Sequence, residues 1–281
     1  LKPAAQDVTL AKTGDETTVR FEVVAGANAA AGEARPIVRA DNASWSLRED
    51  TIDYGHIPMQ VVLRPATVQL VPLSIRIPSG RVGYVRGSGD TIAADLSHVG
   101  FTVEDIDDEA LRTGDLGRYS TIVLGIRAYN ARPAVHAAHA RLMAYVERGG
   151  NLIVQYNTLD LDGPVGPYAL ELGRGRITDE TAAPTFLDAK DPLLNTPNKI
   201  THADFDHWVQ ERGIYFANKW DAHYRPVLRF SDPGEAPLDG ALVVARHGKG
   251  RYIYTGLVLF RQLPAGVPGA YRLLANLIGA R

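Results

Sequence analysis

The first third of the chain alternates polar and apolar residues with a period of two, as in Thr18-Val19-Arg20-Phe21-Glu22-Val23 and Ala66-Thr67-Val68-Gln69-Leu70-Val71. This is the pattern of strands with one face buried and one in water. Gly, Pro, Asn and Asp punctuate the strands, so residues 1–78 read as an all-β, immunoglobulin-like sandwich segment, short for a complete domain of that kind. Ile77-Pro78-Ser79-Gly80 marks the boundary.

From Arg81 the period changes. Val82–Val85, Phe101–Val103, Thr121–Gly125 and Leu152–Val154 are short, continuously apolar runs, as expected of strands covered on both faces. Between them lie helical stripes. Ile92, Ala93, Leu96 and Val99 form the first, behind an Asp90 N-cap and before a Gly100 stop. The acidic run Asp105, Asp107, Asp108 and Glu109 starts a short helix, and Pro133 opens one with Val135, Ala138, Leu142 and Val146 on its inner face. Strands alternating with helices in this way predict an α/β domain over 79–281, with a mainly parallel sheet and helices on both faces.

Residues 159–240 break the rhythm. Eight of the 17 prolines fall there, among Phe186, Phe205, Trp208, Tyr215, Phe216, Trp220, Tyr224 and Phe230, and the stretch reads as a partly ordered insertion packing aromatics over the sheet's edge or mouth. One helix is visible in it, with Thr201 as N-cap, Asp204 at the capping-box position and Gly213 as stop. Strands Ala241–Ala245 and Tyr252–Gly256 around Gly248-Lys249-Gly250 then form a hairpin, and Pro268 starts a last helix bearing Leu273, Leu274, Leu277 and Ile278.

Composition removes chemistry rather than adding it. No cysteine is present, which excludes disulfides, thiolate metal sites and a Cys nucleophile. A formal charge of -2 gives no global field for nucleic acid or an anionic membrane, and no apolar run approaches the ~20 residues of a membrane span. The chain opens on Leu1 without a signal-peptide pattern and is read as a piece of a longer protein. Its compartment is unassigned; export is compatible with the lack of Cys.

Candidate chemistry gathers at the predicted strand ends, where open α/β sheets hold their ligands. Ser88 and Asp90 follow the first strand, Arg127, Tyr129 and Asn130 the third, Tyr156 and Asn157 the fourth, and Arg261 the last. The turn after such a strand can carry a nucleophile on a sharp elbow; here Tyr156-Asn157 stands in that place. These groups suit a sugar or a carboxylate, and they serve equally as helix caps and ties for the insertion. Gly87-Ser88-Gly89-Asp90 departs from a dinucleotide fingerprint, having Ile92 where the third Gly belongs. His202 and Asp206 share a spacing used by zinc helices, as His136 and His139 do less well, but two ligands are not a site. Neither metal nor cofactor is assigned.

The chain resembles proteins of class I glutamine amidotransferase-like fold, a flavodoxin-like sheet that ThuA-like proteins also use. More closely, Gly-Ile-Arg-Ala-Tyr-Asn at 125–130, Val-Gln-Tyr-Asn-Thr at 154–158, Asn-Thr-Pro-Asn-Lys-Ile-Thr at 195–201, Trp-Val-Gln-Glu-Arg-Gly at 208–213 and the run 260–272 are similar to the C-terminal region of large LmbE/PIG-L family proteins, N-acetylglucosaminyl deacetylases. The resemblance covers 81–281, and the β segment before it is similar to the linker domain found there. That family's zinc centre is announced by a His-Pro-Asp-Asp motif, and no His-Pro pair occurs here. The resemblance therefore implies an accessory domain, with no catalytic residue of its own, partnered by an N-terminal deacetylase domain of the same parent chain and binding a carbohydrate or packing on the enzyme. Two other readings stand beside it. One is a hydrolase or lyase using Tyr156 or Asp90 with Arg127; the other is a structural or dimerisation module.

Overall fold

The computed structural model describes residues 2–26 and 29–280. The chain divides into compact units Leu1–Leu73 and Ser74–Arg281. The division falls a little before the predicted boundary at 78, because Asn198 accepts from Arg76 N at 2.8 Å and donates to Arg76 O at 3.0 Å, holding this segment in the second unit.

In the first unit the strands pair two by two rather than as facing sheets. Strand β1 (Gly32–Ala34) pairs with β6 (Val68–Leu70), β2 (Val38–Ala40) with β3 (Ala43–Trp45), and β4 (Leu47–Ile52) with β5 (Gln60–Pro65), all antiparallel. The alternating stretch at 18–23 makes one bridge, Glu22 to Lys2, instead of a strand. No described residue of this unit is buried, and Trp45, Val61 and Leu63 are more than half exposed.

The second unit is built on a seven-stranded, mostly parallel sheet. In chain order its first elements are β7 (Arg81–Val85), α1 (Ile92–His98), β8 (Thr102–Asp105), α2 (Asp108–Thr113), β9 (Thr121–Leu124), α3 (Ala128–Ala131), α4 (Pro133–Ala137), α5 (His139–Glu147) and β10 (Asn151–Gln155). The insertion follows as β11 (Leu170–Leu172), β12 (Arg176–Ile177), β13 (Thr185–Phe186), α6 (Pro192–Asn195), β14 (Gly213–Ile214), β15 (Ala217–Trp220), β16 (Tyr224–Pro226) and β17 (Leu228–Arg229). The chain closes with β18 (Leu242–His247), β19 (Gly250–Thr255), α7 (Leu259–Gln262) and α8 (Pro268–Ile278).

Sheet order is β16-β18-β19-β10-β9-β7-β8. The five strands from β19 to β8 are parallel, whereas β18 runs antiparallel to β19 and β16 antiparallel to β18. Renumbered along the chain, the parallel strands follow the doubly wound order 2-1-3-4-5, with its switch point between β7 and β9. Strands β9 and β10 are buried throughout. Ile122, Leu124, Leu152 and Val154 meet Val135, Ala138, Leu142 and Val146 of α4, α5 and the link between them. The alternate residues face the other way, where the Thr121 hydroxyl donates to Ile278 O at 2.7 Å and Asn151 Nδ2 to Leu277 O at 2.8 Å, satisfying the last carbonyls of α8.

The insertion is ordered as short pairs, β11 with β15, β12 with β14 and β13 with β17, while β16 joins the main sheet. Its helix differs from expectation. Residues His202–Phe205 form one 3-10 turn, and the chain leaves it at an extended Asp206 (φ -72°, ψ 150°). Gly213, the predicted stop, lies in β14. Phe205 stacks on Trp208 at 5.4 Å and meets Phe230 at 5.8 Å in a core of the insertion's own, whereas Tyr224 and Trp220 pack against the main sheet with Tyr252 and Tyr254.

Candidate functional site

The sharp strand-to-helix turn that the sequence places at Tyr156 sits one strand away. No helix follows β10 directly, whereas β9 runs through Gly125 and Ile126 into Arg127, which is left-handed (φ 55°, ψ 26°) and caps α3. Arg127 N donates to Tyr156 O at 2.8 Å, locking the two strand ends together. The elbow position thus carries a guanidinium and no nucleophile.

Around this lock an aromatic and cationic cluster forms. The half-buried Tyr156 ring stacks on Tyr215 from the insertion, with centroids 5.8 Å apart and planes 15° apart. Phe260 of α7 lies 5.7 Å away on a tilted face, and the Arg261 guanidinium sits 4.9 Å from the Phe260 centroid. Arg261 Nε lies 3.2 Å from Glu211, an ion pair without hydrogen-bond alignment. Burial raises the Tyr156 phenol, while Arg127 and Arg261 partly oppose the shift; the hydroxyl is protonated at neutral pH.

Backbone strain collects in the same place. Tyr215 (φ 52°), His207 (φ 60°) and Gln210 (φ 68°) share the left-handed region with Arg127. The loop bearing them is pinned by buried Gln262, which accepts from Val209 N at 2.8 Å and donates to Val209 O at 3.0 Å. Tyr254 adds a hydrogen bond to Tyr215 O. Non-glycine residues held left-handed cost ~1–2 kcal/mol each, and such strain gathers at functional sites. Arg127→Gly should relieve it: we expect stability unchanged or raised by up to ~1 kcal/mol, given glycine's greater unfolded-state entropy. Urea unfolding checks this, and a loss above that size would show that the Arg127 side chain holds the fold.

The other predicted residues are placed differently. Tyr129 is 1% exposed, its hydroxyl 2.9 Å from His139 Nδ1 and its ring edge-on to His136, so its side chain is part of the core and not of a crevice. The left-handed Arg127 sends α3 inward and carries Tyr129 with it. Asn157 is fully buried, accepting from Tyr129 N at 3.0 Å and donating to Gln155 O at 2.9 Å. Asn130 accepts from Thr158 N at 2.8 Å and donates to Asp160 O at 2.6 Å. Both asparagines use their amides to tie loops.

Ser88 and Asp90 stand at the switch point, which is closed. Ser88 N donates to Ile126 O at 2.8 Å, and a Cβ on Gly87 would lie 1.9 Å from that same oxygen. The Asp90 carboxylate accepts from Ile126 N and Ile92 N, each at 3.2 Å, and from the Tyr84 hydroxyl. With its acceptors so used, the loop offers no phosphate cradle. Of the eight predicted residues, Arg127, Tyr156 and Arg261 come together. Tyr215, Phe260 and Glu211 complete the cluster; Tyr215 was marked only by the aromatic richness of the insertion, and Glu211 and Phe260 only by lying in the resemblance segments 208–213 and 260–272.

Metal and cavity chemistry lie elsewhere or nowhere. His202 stacks on Phe186 at 4.7 Å, and its single 3-10 turn ends at the extended Asp206, so the α-helical i, i+4 face that would set His202 beside Asp206 does not form. Among the described residues no group of three or more His, Cys, Asp or Glu could hold a metal, and no helix is long and apolar enough to cross a membrane. Two cavities, of ≈ 220 Å³ against α2 and α4 and ≈ 480 Å³ beside Asp191 and Arg225, contain none of the predicted residues.

No family model and no curated protein matches this chain. Solved structures similar to it include a ThuA-like protein from Bacteroides uniformis, 13% identical with a TM-score of 0.46, covering 73% of this chain and 92% of that one. A GMP synthase component from Thermoplasma acidophilum is 8% identical with a TM-score of 0.42, over 73% and 94%. A β-galactosidase from Rahnella sp. R3 is 16% identical with a TM-score of 0.45, over 70% of this chain and 31% of the galactosidase. None of these reaches a TM-score of 0.5, and the α/β assignment rests on this chain's own strand order.

Proposed function

We propose that this chain is a non-catalytic accessory domain of a larger LmbE/PIG-L-like sugar deacetylase and that it binds a carbohydrate at the Arg127–Tyr156–Arg261 cluster. Its sheet is read as flavodoxin-like and amidotransferase-like on the 2-1-3-4-5 order, with the first unit as a linker to the deacetylase domain. One observation carries the reading. Four segments that bear the family resemblance, at 125–130, 154–158, 208–213 and 260–272, are far apart in sequence and supply Arg127, Tyr156, Glu211, Phe260 and Arg261 to one surface.

Binding is favoured over catalysis by the groups themselves. A protonated Tyr156 is neither base nor nucleophile, Glu211 is committed to Arg261, and Arg127 occupies the elbow. What the cluster offers is ring faces and hydrogen-bond donors, the means by which proteins hold sugars.

A glycan array probed with the 281-residue chain tests this. We expect binding to at least one carbohydrate class, weakened at least tenfold in Tyr156→Ala and in Arg127→Ala, with the thermal unfolding of Arg127→Ala unchanged. Equal binding by both variants, or no glycan bound by a folded chain, contradicts the proposal and favours a scaffold.

A further inference from the structure

We infer that the carbohydrate is anionic, a saccharide chain bearing uronate-type carboxylates, gripped by Arg127 beside the Tyr156–Tyr215–Phe260 rings; this rests on the binding role proposed above. The charge pattern is the first reason. Arg86 and Arg132, near the same strand ends, are paired with Asp105 and Asp108. Arg127 is exposed, and among the described residues its guanidinium has neither a hydrogen bond nor an ion pair. The left-handed backbone and the bond to Tyr156 O fix its main chain at the end of β9. Arg261, 37% exposed, has only the misaligned contact to Glu211. The cluster therefore carries two guanidinium groups against one carboxylate.

The kind of anion follows from the donors. Guanidinium forks match planar carboxylates in a bidentate way. A phosphate cradle would need free backbone amides, and those at the turn are used, Arg127 N by Tyr156 O and Ala128 N by Gly125 O at 3.2 Å. The rings supply the rest. Tyr156, Tyr215 and Phe260 are all half-buried and present flat faces on which the C–H face of a pyranose can lie. β9 and β10 are interior strands that offer only their ends, so an acidic peptide could not gain affinity here by adding to a sheet edge and would depend on the Arg contacts alone.

Calorimetric titration of the 281-residue chain with tetragalacturonate, and with the same oligosaccharide after reduction of its carboxylates to alcohols, tests the inference. The acidic form should bind at least tenfold tighter. Arg127→Gln should remove most of that difference, weakening the acidic form far more than the neutral one, and raising the salt should weaken only the acidic one. Equal affinity for both forms, or binding of neither when the array shows another glycan bound, overturns the anionic assignment and leaves the binding role standing. Tighter binding of a poly-glutamate peptide than of tetragalacturonate overturns the assignment in favour of a protein partner. Acidic selectivity unaltered in Arg127→Gln would place the anion elsewhere and overturn the site as well.

Discussion

Raising the pH from 10 to 12 should unfold the α/β unit in one cooperative step. Burial raises the phenols of Tyr84, Tyr129, Tyr145, Tyr224, Tyr252 and Tyr254 above the ordinary value. In the unfolded chain the same groups ionise near pH 10. Their contribution is therefore complete below pH 10 and is lost as the pH climbs toward the folded values. Each buried tyrosine removes about 1.4 kcal/mol of stability per pH unit in that window. Acting together they exhaust the ~5–15 kcal/mol of an ordinary domain within one to two units. Phenolate absorbance and far-ultraviolet circular dichroism, followed together, check this. The larger part of the phenolate change should coincide with the loss of dichroism, and ionisation of all 12 tyrosines with the dichroism intact would show that these six side chains are not sealed in the core.

The second large effect is expected at Gly87. A Cβ there would lie 1.9 Å from Ile126 O and 3.0 Å from Gly125 C, both backbone atoms of the β9 end. Nothing flexible can yield, so Gly87→Ala should force the β7 and β9 loops apart at a cost of about 3 kcal/mol. Because Ile126 precedes Arg127, the lock to Tyr156 should loosen and sugar affinity should fall, although Gly87 belongs to no part of the cluster. Gly89→Ala is the control. Its Cβ meets nothing within 4 Å and its φ of 82° alone costs ~1–2 kcal/mol, with affinity kept. Chemical denaturation of the two variants separates the cases; equal stability losses would mean that the strand ends are not interlocked.

The parallel sheet was legible because its strands are wrapped on both faces. Val82–Val85, Thr121–Leu124 and Leu152–Val154 read as unbroken apolar runs, and the helical stripe Val135, Ala138, Leu142, Val146 lies against them as its spacing required. The insertion was less legible. Its strands are two to four residues long, too short for a period of two to show, and its helix is one 3-10 turn whose end is set by Asp206 and not by a glycine. The predicted sandwich rested on alternation alone, and alternation does not say which strand pairs with which.

The sequence placed the candidate residues at strand ends but did not say which way their side chains turn. Arg127 and Tyr129 are two residues apart, yet one is exposed and the other packs on His139. The difference comes from a left-handed arginine, which no hydrophobic pattern announces. Tyr215 and Phe260 reach Tyr156 through contacts between segments distant in the chain, and Asn130 and Asn157 were ambiguous because an amide that ties a loop has the same composition as one that binds a ligand.

The central claim is that one surface, formed by the ends of β9 and β10 with Tyr215 and α7, is where this chain meets its ligand. Backbone amide spectra of the isotopically labelled 281-residue chain, recorded during titration with the tightest-binding oligosaccharide of the array, test it most directly. The account predicts shifts centred on Arg127, Tyr156, Tyr215 and Arg261, with β16 and the first unit unmoved. Shifts confined to the first unit, or to the cavity beside Asp191 and Arg225, would contradict it.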